Sequence, residues 1–317
     1  MYGQKSMRLY SDEYYYKQYM EQLGRTLDTQ KKEFLSREQE TFVYYETLLA
    51  DKQKEYEEKK ISETEMSAVT RLVEQKLERR AAFERLMEHV SYAEKQGCPL
   101  VYETGYLELF GYGREGYRQD VEEALLLVIM LVLMLAPYCA GEYSQRMMNL
   151  IGTQYVGTRR ILFEKAGAGI LAASVVFAVV YLPQILYVGY VYGFDGLGES
   201  VDTISDLAGG FLHCPIGAYA AIVYVLRFGK ACAAVLFILA VAVNRKNTIQ
   251  AVSVLLFILA FPACLHLLGI SAADDCSLNA LFSVNMLLNQ KEVWLAVMGG
   301  SIAAVLAAGS VSYLRIQ

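Results

Sequence analysis

The chain has 317 residues, 55% of them hydrophobic, and a formal net charge of −5. Residues 1–120 hold 19 of the 29 Lys and Arg and 23 of the 34 Asp and Glu, leaving 10 and 11 for residues 121–317. A water-soluble enzyme spreads charge over its whole surface, so this distribution excludes one and implies a chain living in two solvents.

The charged third comes first. Tyr14, Tyr15 and Tyr16, with Tyr19, read as packing and interface residues rather than a ligand box. From Gly24 to Gly97 no glycine or proline intervenes, which predicts long helices. One runs from about Asp28 to Glu58, with Phe42, Tyr45, Leu49 and Tyr56 on one seam; the next runs from about Glu63 to Lys95, with Met66, Val69, Val73, Phe83, Met87 and Val90 as its stripe. Ser62 followed by Glu65 forms a capping box, the hydroxyl accepting an orphan N–H while the carboxylate reaches back. Gly97, Cys98 and Pro99 stop the second helix. A short Lys59–Ser62 turn makes the pair an antiparallel hairpin, the simplest way to bury both stripes. The charge runs 52–54 and 57–60 are solvated faces. Residues 102–117, rich in glycine and tyrosine, suit a membrane-proximal position.

Five apolar runs follow, each measured against the roughly 20 residues a spanning helix needs. The first, 124–141, is flanked by Asp120, Glu122 and Glu123 before it and Glu142 after it. The second, 166–192, contains Pro183, which kinks rather than breaks a membrane helix. The third, 215–243, is interrupted by Arg227 and Lys230. Charge at the bilayer centre is costly, so residues 215–226 read as an interfacial or re-entrant helix, with both cations snorkelling toward headgroups or water; cations lining a substrate path are the alternative. The fourth, 249–269, contains Pro262, and the fifth, 293–313, opens at Trp294. Basic residues collect in 142–165, in 244–248 and at Arg315, whereas 193–213 and 270–291 are acidic. The positive-inside rule then places the C-terminus in the cytoplasm and residues 1–120 outside. The expectation is an all-α protein of the plasma membrane: an extracellular helical-hairpin domain, 1–120, and a transmembrane domain, 121–317, of about five helices.

Chemical motifs are sparse. No P-loop, GxSxG, HExxH or GxGxxG pattern occurs, and neither an enzyme active site nor a cofactor, metal or nucleic-acid site is expected. The six cysteines form no CxxC pair; unpaired thiols are the simple reading, with a Cys214–Cys276 disulfide as the alternative. His89, His213 and His266 have no patterned partners.

The segment 142–165 carries a resemblance. Its acidic Glu142 leaves the membrane, an amphipathic stretch with Met147, Leu150 and Ile151 follows, and Gly157, Arg159 and Lys165 lead into the next span. This order resembles the signature loop of ABC-2-type transporter permeases. It departs at Gln145-Arg146, where a glycine usually follows the acidic residue, and at Gly152-Thr153, where a Ser-Thr turn is usual. Residues 15–17, the helical hairpin and 102–110 resemble the large extracellular insert of a Firmicutes-like subgroup. The resemblance implies a permease subunit of an ATP-driven exporter, paired with a second permease copy or homologue. A separate ATPase would dock on the loop through its apolar residues and through Arg146, Arg159 and Arg160. The positive-inside rule alone also accounts for Arg159 and Arg160. In that subgroup a span precedes the insert, which leads to the expectation that this chain lacks a first helix. Two other readings stand beside it: a membrane-anchored sensor or scaffold whose helical ectodomain binds a peptide or cell-envelope ligand, and a membrane-embedded enzyme, for which no intramembrane catalytic pair presents itself.

Overall fold

The computed structural model describes residues 2–112, 118–144, 157–210, 212–243 and 247–268. These form α1 (Tyr2–Leu23), α2 (Thr29–Glu57), α3 (Glu63–Leu77), α4 (Arg80–Gln96), α5 (Thr104–Phe110), α6 (Arg118–Ser144), α7 (Gly157–Val191), α8 (Ile216–Val243), α9 (Thr248–Leu259) and α10 (Phe261–Leu267), with two short 3-10 turns at Val201–Thr203 and Ser205–Leu207. The chain divides into two units: residues 1–102 with 203–206, and residues 103–202 with 207–317. The first closes at Tyr102, ahead of the boundary at 120 expected from charge.

In the first unit the Ser62 cap and the Gly97 stop are those the sequence predicts, and the structure adds a cap at Asp28. The Asp28 side chain accepts from the Lys31 N–H at the start of α2. Ser62 and Glu65 exchange both bonds of a capping box at the start of α3. Gly97 ends α4 in the left-handed conformation, at φ 65°, where a Cβ is disfavoured. Two features go beyond the hairpin. The predicted second helix is interrupted at Glu78 and Arg79, giving α3 and α4, and α1 packs against α4. The added helix explains the tyrosines: Tyr16 and Tyr19 are buried and Tyr14 is exposed. The Tyr19 ring meets Phe34 of α2 and Phe83 of α4, while Phe42 of α2 packs on Phe83. Each such aromatic pair contributes about 1 kcal/mol beyond area burial. The Tyr19 hydroxyl donates to Glu38 at 2.7 Å, and burial, followed by that carboxylate, raises its pKa. His89 is a packed core residue, 4% exposed, with Nδ1 2.8 Å from the Tyr16 hydroxyl.

The second unit contains three helices long and apolar enough to cross a membrane: Gln119–Gly141 in α6, Phe163–Val191 in α7 and Ile216–Ala242 in α8. They share one core, in which Leu131 and Val132 of α6, Ala173 and Val176 of α7, and Val235 and Ile238 of α8 are buried. α7 runs antiparallel to α8, and Gly169 permits their close approach: a Cβ there would lie 2.6 Å from the Val235 side chain. The third apolar run corrects the sequence reading. It is one continuous helix, α8, not a separate interfacial segment followed by a span; a charged side chain removes no backbone hydrogen bond, and the cost of burying Arg227 is met by its pair with Asp120. The fourth run divides into α9 and α10, with Pro262 in the first turn of the second piece, where the missing N–H of proline is tolerated. Leu255, Leu259 and Ala263 of these pieces join the same core. The run 293–313 lies outside the described residues.

Candidate functional site

A polar cluster sits at the end of the second unit where α6 begins. Arg227, 4% exposed, and Asp120, fully buried, form an ion pair: Nη2 lies 3.0 Å and Nε 3.1 Å from Asp120 Oδ1. Arg227 Nη1 donates to the Leu109 carbonyl at 3.2 Å. The guanidinium also stands 5.0 Å from the Tyr181 ring centre and 5.1 Å from that of Tyr224, and arginine tolerates such a site because its planar cation stacks on aromatic faces. The snorkelling expected of Arg227 is thus replaced by burial against a carboxylate 107 positions away. Lys230, one turn deeper on α8, is half-buried. Glu123, one turn into α6, accepts from Gln119 Nε2 at 3.2 Å.

The pair also fixes the level of α8. Residues 216–226 precede Arg227 on α8, about 16 Å of helix at 1.5 Å per residue, and run beyond the start of α6 alongside α5. Phe110 of α5 meets Tyr219 edge-on at 4.9 Å. The Tyr224 hydroxyl is 3.3 Å from the Leu109 carbonyl, and Gln184 Nε2 of α7 donates to the Glu108 carbonyl at 2.9 Å. Beyond the 3.1 Å bond that the Gly111 N–H gives the Glu108 carbonyl, the last carbonyls of α5 are thus capped by side chains of α7 and α8. Tyr192 donates to the Glu108 carboxylate at 2.9 Å and Tyr106 to the Asp195 carbonyl at 2.8 Å. Nearby, His213 Nδ1 lies 3.0 Å from Asp202, and burial, followed by the Asp202 charge, pushes the Cys214 thiol up. Cys276, the partner considered for Cys214, lies outside the described residues.

The sequence-predicted coupling residues fall at the opposite end of α6 and α7. Glu142 belongs to the last turn of α6, and Gly157, Arg159 and Arg160 to the first turn of α7. The helix thus starts well before position 166, where the apolar run begins. Lys165 is 6% exposed, its Nζ 5.9 Å from the Tyr138 ring centre. Arg146, Met147, Leu150 and Ile151 lie outside the described residues. Sequence reading noted Asp120 only as a flank and missed Tyr181, Gln184 and Tyr224. A signal was present: two acids spaced i, i+3 open α6, and two cations spaced i, i+3 lie in α8.

Among the described residues no group of three or more His, Cys, Asp or Glu is placed to hold a metal ion. The cluster is suited to tying helices together. The described residues are helical, and three of the helices are long and apolar enough to cross a membrane, which points to a multi-pass membrane protein. No known protein family, curated protein or solved structure matches the chain.

Proposed function

We propose that this chain is the membrane-spanning permease subunit of an ATP-driven exporter of the ABC-2 type, coupled through residues 142–165 to a separate ATPase and working with a second permease copy or homologue. The observation that carries the reading is the framing of residues 145–156 by two long, mutually packed helices. α6 ends with Glu142 in its last turn, and α7 begins with Gly157, Arg159 and Arg160. A push on this connection acts on rigid rods of 27 and 35 residues, and α6 is tied at its far end to α8 by the buried ion pair. Coupling requires an element that distinguishes two global states, and this pair of rods is suited to that task. In this reading residues 1–120 are extracellular, the C-terminus is cytoplasmic, α9 with α10 forms the fourth crossing and residues 293–313 the fifth.

The test is purification of the full chain from its native membrane after mild cross-linking. The reading expects a P-loop ATPase to copurify and to be lost, with its chain-stimulated ATP hydrolysis, in the Arg159→Glu/Arg160→Glu double variant. Absence of any ATPase, together with ligand binding confined to residues 1–102, would favour the sensor or scaffold reading instead.

A further inference from the structure

We propose that α5 is a detachable lid over the outer ends of α7 and α8, and that the Asp120–Arg227 pair is its latch. Three observations carry this. A helix of seven residues has no independent stability, so α5 exists only while its seat holds it. The polar contacts of that seat are single bonds from side chains: Gln184 to the Glu108 carbonyl, Tyr224 and Arg227 to the Leu109 carbonyl, Tyr192 to the Glu108 carboxylate, and Tyr106 of α5 to the Asp195 carbonyl. Such bonds break one by one, unlike a backbone ladder. Finally, Arg227 serves two elements at once, the carboxylate of α6 and the last carbonyls of α5. A shift of α6 against α8 that separates Asp120 from Arg227 reorients the guanidinium and withdraws the donor from α5. The exit of α5 transmits the same movement: Gly111 lies so close to the first turn of α6 that a Cβ there would be 2.5 Å from the Asp120 Cβ. The lid covers the Tyr219 ring, buried against Phe110. The proposal needs only a displacement between α6 and α8 and is independent of whether an ATPase drives it.

The test is amide hydrogen exchange of the full chain in lipid nanodiscs, comparing wild type with Asp120→Asn, Arg227→Gln and the milder Tyr224→Phe. A latch predicts exchange across residues 104–110 faster by tenfold or more in the first two variants and by a few-fold in the third. The rise at 104–110 should exceed any rise in the middle of α6 and α8 by tenfold or more. In a background without native cysteines, Tyr219→Cys should react with an impermeant maleimide faster when combined with Asp120→Asn. Unchanged exchange at 104–110 in all three variants, or unchanged labelling at position 219, would overturn the latch. A rise of the same size at 104–110 and throughout α6 and α8 would overturn it too, since the pair would then be a general brace.

Discussion

Substituting Arg227 by Gln removes the positive partner of a carboxylate that is fully buried and leaves the Leu109 carbonyl without one of its donors. Breaking a buried ion pair from one side costs about 3–5 kcal/mol, because the remaining charge is stranded. The loss of the carbonyl bond adds about 1 kcal/mol. Replacing both partners, Asp120→Asn with Arg227→Gln, strands no charge and should cost only about 1–2 kcal/mol. The double-mutant cycle should therefore show a coupling of about 5 kcal/mol or more, above the roughly 0.5–3 kcal/mol usual for residues in one network because each single variant strands a buried charge. Arg227→Lys keeps the charge without the fork that reaches two acceptors and should fall between. The assay is equilibrium unfolding in mixed micelles titrated with a denaturing detergent, followed by loss of helical circular dichroism. A cost for Arg227→Gln below about 1 kcal/mol, the value of a solvent-screened pair, would refute the reasoning, as would single variants that simply add.

Three further predictions concern the rest of the fold. Burial, followed by the Arg85 charge, lowers the His89 pKa to about 4 from an ordinary 6.5; the unfolded chain then takes up its proton first, so the histidine's contribution is intact above pH 6.5 and the first unit loses up to about 3 kcal/mol as pH falls from 6.5 through 4. Exchange protection of α4, corrected for intrinsic rates, should decline over that window in the wild type and hold in His89→Gln; equal decline in both would assign the effect elsewhere. Gly111→Ala meets both a left-handed φ of 78° and the Asp120 backbone at 2.9 Å, and should cost more than about 2 kcal/mol, whereas Gly193→Ala, at the same φ but with only the far end of Asp195 nearby at 3.8 Å, should cost about 1 kcal/mol. Ser62→Ala removes the cap of α3 and should destabilise its first turn by about 1 kcal/mol, seen as faster exchange at residues 63–66; no change there would mean that the carboxylate of Glu65 suffices.

Helix-forming chemistry that is local in sequence was readable in advance. The Ser62–Glu65 box, the Gly97 stop and the limits of α2 depend on neighbours within a turn, and they stand where expected. That Tyr16 and Tyr19 pack was legible too, but not what they pack against, because that depends on α1 finding α4 some 70 positions later. The same limit hid the character of Arg227. Hydropathy reports how apolar a run is, not what its charges touch, and a carboxylate 107 positions away turns a cation that would interrupt a span into one that anchors it. α8 runs unbroken through Arg227 because a charge removes no backbone hydrogen bond and needs only a partner, whereas proline alone does not decide a break: α6 and α7 continue through Pro137 and Pro183 while the fourth run divides beside Pro262.

The disposition of the chain across the bilayer underlies every part of this account, and substituted-cysteine labelling in intact cells tests it most directly. In a background without native cysteines, an impermeant maleimide should label Glu58→Cys, on the helical unit, and Gly198→Cys, between α7 and α8, from outside. Arg159→Cys, at the start of α7, should react only after permeabilisation. Labelling of Arg159→Cys in intact cells, with Gly198→Cys protected, would invert the orientation and remove the basis for an ATPase docking on residues 142–165.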